Sequence, residues 1–467
     1  MNRLLACALV ALVSACGSND KTKCDPVAQT GCGSGQVCEA VQSGTPACFA
    51  PVLVRGTVAD LESGALLNDA HVVALDPNGA PLSTVAVTAN NGTTNGAYEL
   101  KVPATRDAAG KPVQASLTLR ADKQAYETFP GGLRTALPIE LSGATLVGSN
   151  WVASGSLTAL KLAALGIAGT TFIHGSVAKA PSGAGTLVVA EAGGVGLTGV
   201  ADDAGNYSIF NLKQGTAYVV TAYTKGANYT PVTTSALAAG DNAVAALALA
   251  LGSGTGATLT GGLIFNNGAS SNIQVTLVVQ STFVTKLDRG ESPPGLTIQA
   301  GASGYTFDGV PDGNYRVLAA FGLDGDVRDV SGGGNTGAPL VTIQSGAVVG
   351  TPPGFKIIPA VDLLTIGGTS VSATPVVLTG ATAPTPTFVW QTGSVDSSAT
   401  NYSVDVFDSF GNSAFSVSVP NTTTSVTYAG AQPLQAGIYY QLRVAALKAG
   451  VQLSQTEDVE GVFTWQP

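Results

Sequence analysis

The sequence has few charged residues and almost no histidine, and these shortages exclude several classes of protein. Only 11% of the 467 residues are charged, and 21 Lys and Arg against 30 Asp and Glu leave a net charge of −9. A nucleic-acid-binding surface needs clustered basic side chains to neutralise phosphates, and no such cluster occurs, so we expect no nucleic-acid partner. The two histidines, His71 and His174, cannot supply the usual His pair of a zinc peptidase together with its other ligands.

Familiar catalytic and nucleotide-binding motifs are also missing. The sequence has no G-x-S-x-G, no P-loop and no H-E-x-x-H. A formal G-x-G-x-x-G does occur at 194–199, but a dinucleotide site requires a helix to begin at that turn, because free N–H groups and the helix dipole hold the phosphate. The residues that follow, VADDAGNYSIF, indicate strand, turn and strand instead. We therefore interpret 194–199 as a glycine-rich loop and expect no nucleotide, no cofactor and no enzymatic activity.

Glycine, proline and small or β-branched residues are abundant. The chain has 59 Gly and 24 Pro, with many Ala, Val, Thr and Ser and few long helix-forming side chains. This composition is typical of an all-β protein with many turns. A chain of this length is also too long for one hydrophobic core, so we expect several domains.

The amino terminus, MNRLLACALVALVSAC, indicates export. Arg3 precedes an apolar run at 4–13 that is too short for a permanent membrane-spanning helix, as expected for a signal peptide. The run ends in V-S-A-C, which resembles the lipobox of bacterial lipoproteins. The resemblance implies that residues 1–15 are removed, that Cys16 is lipidated and anchors the protein in a membrane, and that Gly17 favours the outer membrane or cell surface. An ordinary signal peptide that happens to contain a cysteine is the alternative.

Four cysteines follow the anchor position, in the pattern C-x7-C-x5-C-x9-C: Cys24, Cys32, Cys38 and Cys48. The segment that contains them, 16–52, has few apolar residues to bury and therefore needs covalent cross-links. An even number of cysteines in an exported segment predicts two disulfides, but the sequence leaves open which of the three pairings forms. A zinc site is the alternative, although the CxxC knuckles of structural zinc sites are absent and we expect no metal.

Internal similarity divides most of the remaining chain into three related units. Each unit opens with an apolar-x-Gly-x-apolar strand, which removes side-chain bulk where another element must approach closely. Each then has an apolar run that is typical of a strand buried on both faces. The opening strands are VRGTV at 54–58, IHGSV at 173–177 and LTGGL at 259–263, and the buried strands are HVVAL at 71–75, LVVAE at 187–191 and VTLVV at 275–279.

A stretch containing glycine and tyrosine comes next in each unit. It reads NGAYELKVP at 95–103, GNYSIFNLKQGTAYVV at 205–220 and SGYTFDGVPDGNYRVL at 303–318. Two apolar runs around a glycine turn predict a hairpin that closes the sandwich, although the first unit keeps only half of this pattern. The tail of the first unit, at 156–165, could be a short helix, but the similar tail at 242–251 favours a closing strand in both.

The order G-x-V, buried strand and G-x-Y-x-[IF]-x-x-[LV]-x-x-G-x-Y-x-V resembles the carboxypeptidase regulatory-like domain. This domain is a transthyretin-like (prealbumin-like) β-sandwich, also grouped with carbohydrate-binding-like folds and CnaB modules. The resemblance covers 53–166, 171–251 and 257–360 and implies three accessory sandwiches without peptidase activity. CnaB modules sometimes carry a Lys–Asn isopeptide bond, but the three opening strands lack the required lysine.

The last hundred residues differ in character. PTPTFVWQ at 384–391 places Trp390 in an early strand, and LQAGIYYQLRVAAL at 434–447 contains Tyr440 in the spacing L-x-x-G-x-x-Y-x-x-x-V-x-A. That spacing resembles the late strands of fibronectin type III domains, in which the tyrosine hydrogen-bonds back to the chain. The resemblance implies an Ig-like sandwich over 364–467, with Trp390 in its core.

Two kinds of ligand remain open. The acidic turns at 202–203 and in DGDVRD (324–329) offer carboxylates to calcium, although Asp-Gly turns explain them without a metal and the EF-hand spacing is absent. Sugar sites use exposed aromatic faces, and the candidates for glycan contact are Tyr126, Trp151, Tyr223 and Tyr229. We expect Tyr223 and Tyr229 on a loop edge of the second sandwich.

Together these patterns predict a non-catalytic lipoprotein of the cell envelope, made of tandem β-sandwiches with structural, adhesive or protein-binding roles. Short linkers, such as GSGTGA at 252–257, would let the modules project as a stalk. The expected partners are envelope proteins or polysaccharides. Polysaccharide binding at the cell surface is the alternative function.

Overall fold

The computed structural model of the protein is all-β, as predicted, with three one-turn 3₁₀ helices among the residues it describes. The described residues are 24–26, 30–77, 79–114, 116–131, 134, 136–179, 185–250, 256–265, 273–284, 289–301, 303–319, 325–328, 338–352, 354–372, 375–391, 398–408, 412–436, 438–457 and 460–466. The signal peptide, Cys16, Asp324, Asp329 and most of the 252–257 linker lie outside them. In the described part of the chain, no helix is long and apolar enough to cross a membrane.

The cysteine-rich segment forms a small hairpin of β1 (Val37–Glu39) and β2 (Ala47–Phe49). Disulfides join Cys24 to Cys38 and Cys32 to Cys48, which decides among the three pairings that the sequence left open. Three of these sulfur atoms lie within 4.8 Å of one another. Because each is bonded to another sulfur, they cannot act as the thiolate ligands of a zinc site.

Module 1 is the sandwich between residues 52 and 162. Its strands are β3 (Val52–Asp60), β4 (His71–Leu75), β5 (Ala86–Val87), β6 (Ala97–Val102), β7 (Thr105–Arg106), β8 (Pro112–Gln114), β9 (Ser116–Asp122), β10 (Ile139–Glu140), β11 (Thr145–Val147), β12 (Asn150–Ala153) and β13 (Ala159–Leu162), with 3₁₀ turns at Leu141–Gly143 and Ser156–Thr158. The sheet β11-β12-β3-β13, with β6 also on β3, faces the sheet β10-β9-β4-β5, and β7 and β8 form a separate ribbon. The tail at 156–165 contains the closing strand β13, parallel to β3, so the strand interpretation is confirmed.

Module 2 lies between residues 170 and 249. Its strands are β14 (Thr170–Ser176), β15 (Thr186–Ala192), β16 (Val195–Ala201), β17 (Asn206–Lys213), β18 (Val219–Thr224), β19 (Ala227–Asn228), β20 (Val232–Thr233) and β21 (Asp241–Ala243). The sheet β17-β14-β21 faces the sheet β16-β15-β18-β19, with β20 on β18. The interpretation of 194–199 as a loop is wrong, because only the turn at Gly193–Gly194 precedes β16, which pairs along its length with β15.

Module 3 lies between residues 257 and 359. Its strands are β22 (Ala257–Phe265), β23 (Gln274–Val279), β24 (Thr297–Gln299), β25 (Gly304–Val310), β26 (Gly313–Ala319), β27 (Asp326–Arg328), β28 (Leu340–Gln344), β29 (Ala347–Val349) and β30 (Phe355–Pro359), with a 3₁₀ turn at Gln280–Thr282. The sheet β25-β22-β30-β27 faces the sheet β24-β23-β26-β28-β29. As in modules 1 and 2, the opening strand has a later strand parallel to it, here β30 beside β22.

Module 4 lies between residues 362 and 466. Its strands are β31 (Asp362–Ile366), β32 (Thr369–Ser370), β33 (Val376–Thr379), β34 (Thr387–Gln391), β35 (Asn401–Asp408), β36 (Ser413–Pro420), β37 (Ser425–Thr427), β38 (Tyr439–Lys448), β39 (Val451–Gln455) and β40 (Val462–Gln466). The sheet β32-β31-β34-β37 faces the sheet β33-β40-β38-β35-β36, with β39 on β38. Trp390 is buried in the core, and the hydroxyl of Tyr440 accepts the backbone N–H of Gln435 at 2.8 Å. Both predicted roles are confirmed.

The predicted closing hairpins do not form. In module 2, β17 pairs with β14 in one sheet, whereas β18 pairs with β15 in the other. In module 3, β25 pairs with β22 and β26 with β23, again in different sheets. The glycine turn therefore carries the chain across the sandwich, and both strands still direct apolar side chains into one core. An alternating pattern shows that one face is buried, but it does not identify the partner strand.

The glycines of the opening strands lie opposite the tyrosines of the repeated motif. Across the paired strands, Gly56 is the partner of Tyr98, Gly175 of Tyr207 and Gly261 of Tyr305. A Cβ atom on Gly261 would lie 2.2 Å from the Tyr305 ring. The expected close approach at these glycines is confirmed. Its cause is a tyrosine ring packed on the bare backbone at Gly175 and Gly261, and the carbonyl of Thr158 together with the Tyr98 hydroxyl at Gly56.

Candidate functional site

Modules 1, 2 and 3 meet around one buried guanidinium group. Arg120 on β9 is only 3% exposed, and its Nε atom donates to Asp122 Oδ2 at 2.9 Å. Its Nη2 atom donates to the carbonyl and hydroxyl oxygens of Thr198, both at 3.2 Å, and Nη1 lies 3.7 Å from Glu291 Oε2. We call these four residues the three-module junction. A single arginine of module 1 thus contacts both other modules.

The strand pattern explains why these charges meet outside the core of module 1. Leu119 and Ala121 point into that core, so Arg120 and Asp122 lie on the opposite face of β9. Such a face is normally solvated, but here modules 2 and 3 cover it. Burial disfavours the charge of Arg120, yet the carboxylates of Asp122 and Glu291 raise its pKa overall. Burial also raises the pKa of Glu291, and Arg120 opposes that shift.

Backbone and side-chain hydrogen bonds join module 1 to module 2. Asn211 Oδ1 accepts the N–H of Ala125 at 2.7 Å, and its Nδ2 donates to the carbonyl of Tyr126 at 2.8 Å. Asp202 Oδ2 accepts the N–H of Val85 at 3.1 Å, while its other oxygen accepts two N–H groups of its own turn. The acidic turn at 202–203 therefore closes on itself and on module 1. Both oxygens of the Asp202 carboxylate accept N–H groups, and these hydrogen bonds explain the acidic turn without a bound calcium ion.

Modules 2 and 3 share part of one hydrophobic core. Leu187, Val189 and Tyr223 of module 2 pack with the buried residues of module 3, whereas Val188 and Ala190 point into the core of module 2. The predicted burial of this strand on both faces is confirmed. The N–H of Gly226 donates to the carbonyl of Gly309 at 2.7 Å, and the N–H of Asp312 donates to Asn228 Oδ1 at 2.6 Å. The expectation that short linkers let the modules project as a stalk is therefore wrong for modules 1 to 3, which pack against one another.

The formal G-x-G-x-x-G has a packing role at this interface. A Cβ atom on Gly196 would lie 2.7 Å from Ser281 Oγ in the 3₁₀ turn of module 3. A Cβ atom on Gly199 would lie 2.2 Å from the carbonyl oxygen of Ser208 within module 2. Both glycines sit in a strand rather than before a helix. They allow close backbone approach, and the phosphate-binding geometry is absent at this position.

A buried ion pair fixes the cysteine-rich segment to module 1. Arg106 Nε donates to Glu39, and both side chains are almost fully buried. Arg106 Nη2 also donates to the carbonyl of Ala50 at 2.8 Å, and its guanidinium lies 5.1 Å from the ring centre of Phe49. Glu39 accepts the N–H of Ala104 at 2.8 Å. Burial raises the pKa of Glu39, although Arg106 opposes the shift. The segment is therefore a docked part of module 1.

The four candidate glycan-contact aromatics do not form one surface. Tyr126 and Trp151 are half-buried against the core of module 1. Tyr229 is buried in module 2, where its hydroxyl donates to the carbonyl of Ala178 at 2.8 Å, and Tyr223 is buried against module 3. The expected loop-edge placement of Tyr223 and Tyr229 is wrong, because Tyr223 is buried in the core shared with module 3 and Tyr229 in the core of module 2. Glycan binding itself stays a prediction.

The two histidines have separate structural contacts. His71 lies edge-on to Phe210 of module 2, with ring centres 5.0 Å apart. Burial is the main cause of its lowered pKa. His174 Nδ1 lies 2.6 Å from Asp241 Oδ1 in a half-exposed pair. His71 thus belongs to the interface of modules 1 and 2.

Sequence reasoning missed the charged residues that join the modules. Arg120, Glu291, Glu39 and Arg106 were not singled out, because their partners come from distant parts of the chain. One signal was present: in SLTLRAD, the apolar positions of β9 predict its inner face, and Arg and Asp then share the outer face. In a chain with only 11% charged residues, such a pair inside a strand is a candidate for burial.

Comparison with known proteins gives no family assignment. No family model matches the chain, and no curated protein matches it. Among solved structures, the FN1–FN3 domains of chicken CNTN1 are 10% identical, with 61% of this chain and 89% of that chain covered and a TM-score of 0.17. The shaft pilin SpaA from Lactobacillus rhamnosus GG is 11% identical; the match covers 43% of this chain and 98% of the pilin chain, with a TM-score of 0.15. A DUF3823 family protein from Parabacteroides merdae ATCC 43184 is 14% identical; the match covers 45% of this chain and 98% of that chain, with a TM-score of 0.18.

Proposed function

We propose that the protein is a non-catalytic lipoprotein of the cell envelope that holds a rigid group of β-sandwiches close to a membrane. The three-module junction is the observation that carries this proposal. Arg120 is buried between modules 1, 2 and 3, so separating them would remove its contacts with Thr198 and Glu291 and leave Glu291 without its cation. Such an arrangement suits a scaffold better than a flexible stalk.

Lipidation at Cys16 would place the docked cysteine-rich segment, and module 1 with it, close to the membrane. Eight peptide units separate Cys16 from Cys24, which is cross-linked to β1. Their extended length is at most about 30 Å at ~3.6 Å per residue. Because Glu39 and Arg106 fix β1 to module 1, an anchor at Cys16 would hold module 1 within that distance of the lipid surface. Several acyl chains on one cysteine anchor a protein stably, whereas one chain does not.

Replacement of the lipidation cysteine tests the anchor. Cys16→Ser should move the protein from the membrane to the soluble fraction and abolish labelling by a radioactive fatty acid. Cys7→Ser is the matched control, because position 7 lies in the segment that the proposal removes. Membrane retention and labelling of Cys16→Ser equal to the wild type would overturn the anchor.

The scaffold role has its own test. We expect the purified protein to have no peptidase, esterase or glycosidase turnover, and its partners to be proteins or polysaccharides of the envelope. Turnover that is lost on a single substitution would contradict a non-catalytic role. The experiment should use protein whose calorimetric profile matches the wild type, so that unfolding is not mistaken for loss of a site.

A further inference from the structure

Module 4 has a long, uncharged strand at the edge of its larger sheet. β36 (Ser413–Pro420) is last in the order β33-β40-β38-β35-β36, and in the described part of the chain no strand pairs with its outer side. Its sequence, SAFSVSVP, contains no charged residue. A free edge offers unpaired N–H and C=O groups to another chain, so natural proteins usually protect it with charges, bulges or a covering element. The only irregularity in the pairing of β36 with β35 lies at its start, opposite Phe407.

The other long edge strands are protected in this way. Among the described strands of seven or more residues, three others lie at a sheet edge: β16, β17 and β25. β16 is covered by module 3, where Ser281 approaches Gly196. β17 bonds to module 1 through Asn211 and ends in Lys213. β25 carries the charge of Asp308. β36 therefore stands out as a long edge without protection.

The backbone of β36 alternates between bonds to β35 and groups that point outward. The N–H of Asn421, one residue after β36, donates to the carbonyl of Thr400 at 3.2 Å. Backbone groups of successive residues point to opposite sides of an antiparallel strand. The odd-numbered residues of β36 therefore bond to β35, and the N–H and C=O groups of Ser416 and Ser418 point away from the sheet. These groups are available to a further strand.

Apolar and polar side chains of β36 lie on opposite faces of the sheet. Three apolar side chains are half-buried against the core of module 4: Phe415, Val417 and Val419. On the outer face, Ser416 Oγ donates to Asp405 Oδ1 at 2.6 Å, and Ser418 Oγ accepts from Asn401 Nδ2 at 2.7 Å. A further strand with the same alternation would remove the remaining apolar surface from water.

The strand is complementary to a second copy of itself. When two copies lie antiparallel about Val417, Phe415 of each copy lies opposite Val419 of the other, and Ser416 lies opposite Ser418. Apolar side chains then meet apolar side chains on the core side, and each serine pair exchanges both of its N–H···O=C hydrogen bonds. Because β36 has no charged residue, no like charges meet across the axis.

The chain after β37 favours this register. A Cβ atom on Gly430 would lie 2.6 Å from the carbonyl oxygen of Ala414, so that oxygen is covered although it lies on the outward side. An axis one residue earlier would require the Ala414 carbonyl to accept from Ser418. The axis at Val417 instead places Ala414 opposite Pro420, which has no N–H to donate. The groups left free in module 4 are thus the ones that this pairing uses.

We propose that two copies of the protein associate through β36 and form one continuous antiparallel sheet across a twofold axis at Val417. A second copy suits the edge better than an unrelated strand, because its polarity, its register and its lack of charge are all self-complementary. This self-association goes beyond the scaffold role and does not depend on lipidation of Cys16.

Cysteine cross-linking of the purified full-length protein tests the axis. Side chains directly opposite each other have Cβ atoms about 4.5–5.5 Å apart, close to the separation that a disulfide spans. Under mild oxidation, Val417→Cys should form a disulfide-linked dimer above the wild-type background. Val419→Cys is the matched control, because it lies on the same face of the same strand and is also half-buried. It should stay monomeric alone and form a linked dimer when mixed with Phe415→Cys.

Removal of an outward N–H tests the hydrogen bonds separately. Because the N–H of Ser418 points away from β35, Ser418→Pro removes no backbone bond of module 4 and should leave its calorimetric transition unchanged. The variant lacks a donor that the pairing needs, so its self-association in sedimentation-velocity experiments should be at least about tenfold weaker. Ser418→Ala keeps the N–H and should associate like the wild type.

Three results would overturn the proposal. These are a wild-type protein that stays monomeric up to about 100 µM, equal cross-linking of Val417→Cys and Val419→Cys alone, and undiminished association of Ser418→Pro. Cross-linking of Val417→Cys to a different protein in intact cells, with no linked dimer, would assign the edge to a foreign strand and would equally refute self-pairing.

Discussion

Removal of the charge at position 120 should strongly destabilise the assembly of modules 1 to 3. Arg120→Met keeps most of the side-chain length and removes the guanidinium, which leaves Asp122 and Glu291 without their shared cation. Both Arg120 and Asp122 are almost fully buried, so water cannot replace the lost partner. Breaking a buried ion pair by removing one member typically costs about 3–5 kcal/mol. We expect a loss of that size in the free energy of unfolding.

Module 1 offers a matched control. Arg55 on β3 also pairs through Nε with a carboxylate, Glu99 Oε2, at 2.8 Å, compared with 2.9 Å for Arg120 and Asp122. The Arg55 and Glu99 side chains are 45% and 43% exposed, so solvent screens their charges. Exposed pairs of this kind contribute about 0–1 kcal/mol. Because residue type, pairing atom and distance are nearly the same, Arg55→Met isolates the effect of burial.

Differential scanning calorimetry on the two variants and the wild type measures the difference. Arg120→Met should lower the melting temperature of modules 1 to 3 much more than Arg55→Met, and should leave the transition of module 4 closer to its wild-type position. Equal shifts for the two variants would refute the reasoning. So would a loss below about 1 kcal/mol for Arg120→Met, because that is the range of a surface pair.

Three further predictions follow from other contacts. Arg106→Met should lower the free energy of unfolding by about 3–5 kcal/mol and make the cysteine-rich segment sensitive to limited proteolysis, because the buried carboxylate of Glu39 loses its partner. Unchanged cleavage kinetics would contradict the docking of that segment on module 1. Gly261→Ala should cost about 1–3 kcal/mol in urea denaturation, because the new methyl group meets the Tyr305 ring, whereas Gly262→Ala, with open space around its Cβ, should cost far less. The pKa of His71 is lowered below 6.5 in the folded protein, so the unfolded chain binds more protons as the pH falls. The contribution of His71 to stability should therefore be fully present above pH 6.5 and decline below it. His71→Gln should flatten that decline in melting curves, and an unchanged slope would exclude His71 as its source.

The sequence predicted features that depend on one strand or on a local repeat. Period-two alternation identified β3, β14 and β22, and the glycines within them correctly indicated a close approach. The spacing around Tyr440 predicted its hydrogen bond to the backbone. Each of these follows from residues close together in the chain, where strand geometry limits the possibilities.

Features that depend on tertiary partners were not predictable in the same way. The stretch at 205–220 has the alternation of a hairpin, yet β17 and β18 belong to different sheets. Tyr223 was expected at a loop edge, but module 3 covers it. Arg120 and Glu291 come from different modules, so no spacing rule connects them. In each case the deciding contact is between segments whose relative placement the local pattern does not contain.

Hydrogen–deuterium exchange at the backbone amides between modules tests the central claim most directly. The N–H groups of Val85, Ala125, Gly226 and Asp312 each donate to an acceptor on a neighbouring module. If modules 1 to 3 form one rigid scaffold, these four amides should be protected to the same degree as strand amides of β9. If the modules are independent, the four amides should exchange as fast as the N–H of Gly92, which donates only within an exposed turn. That second result would contradict the account.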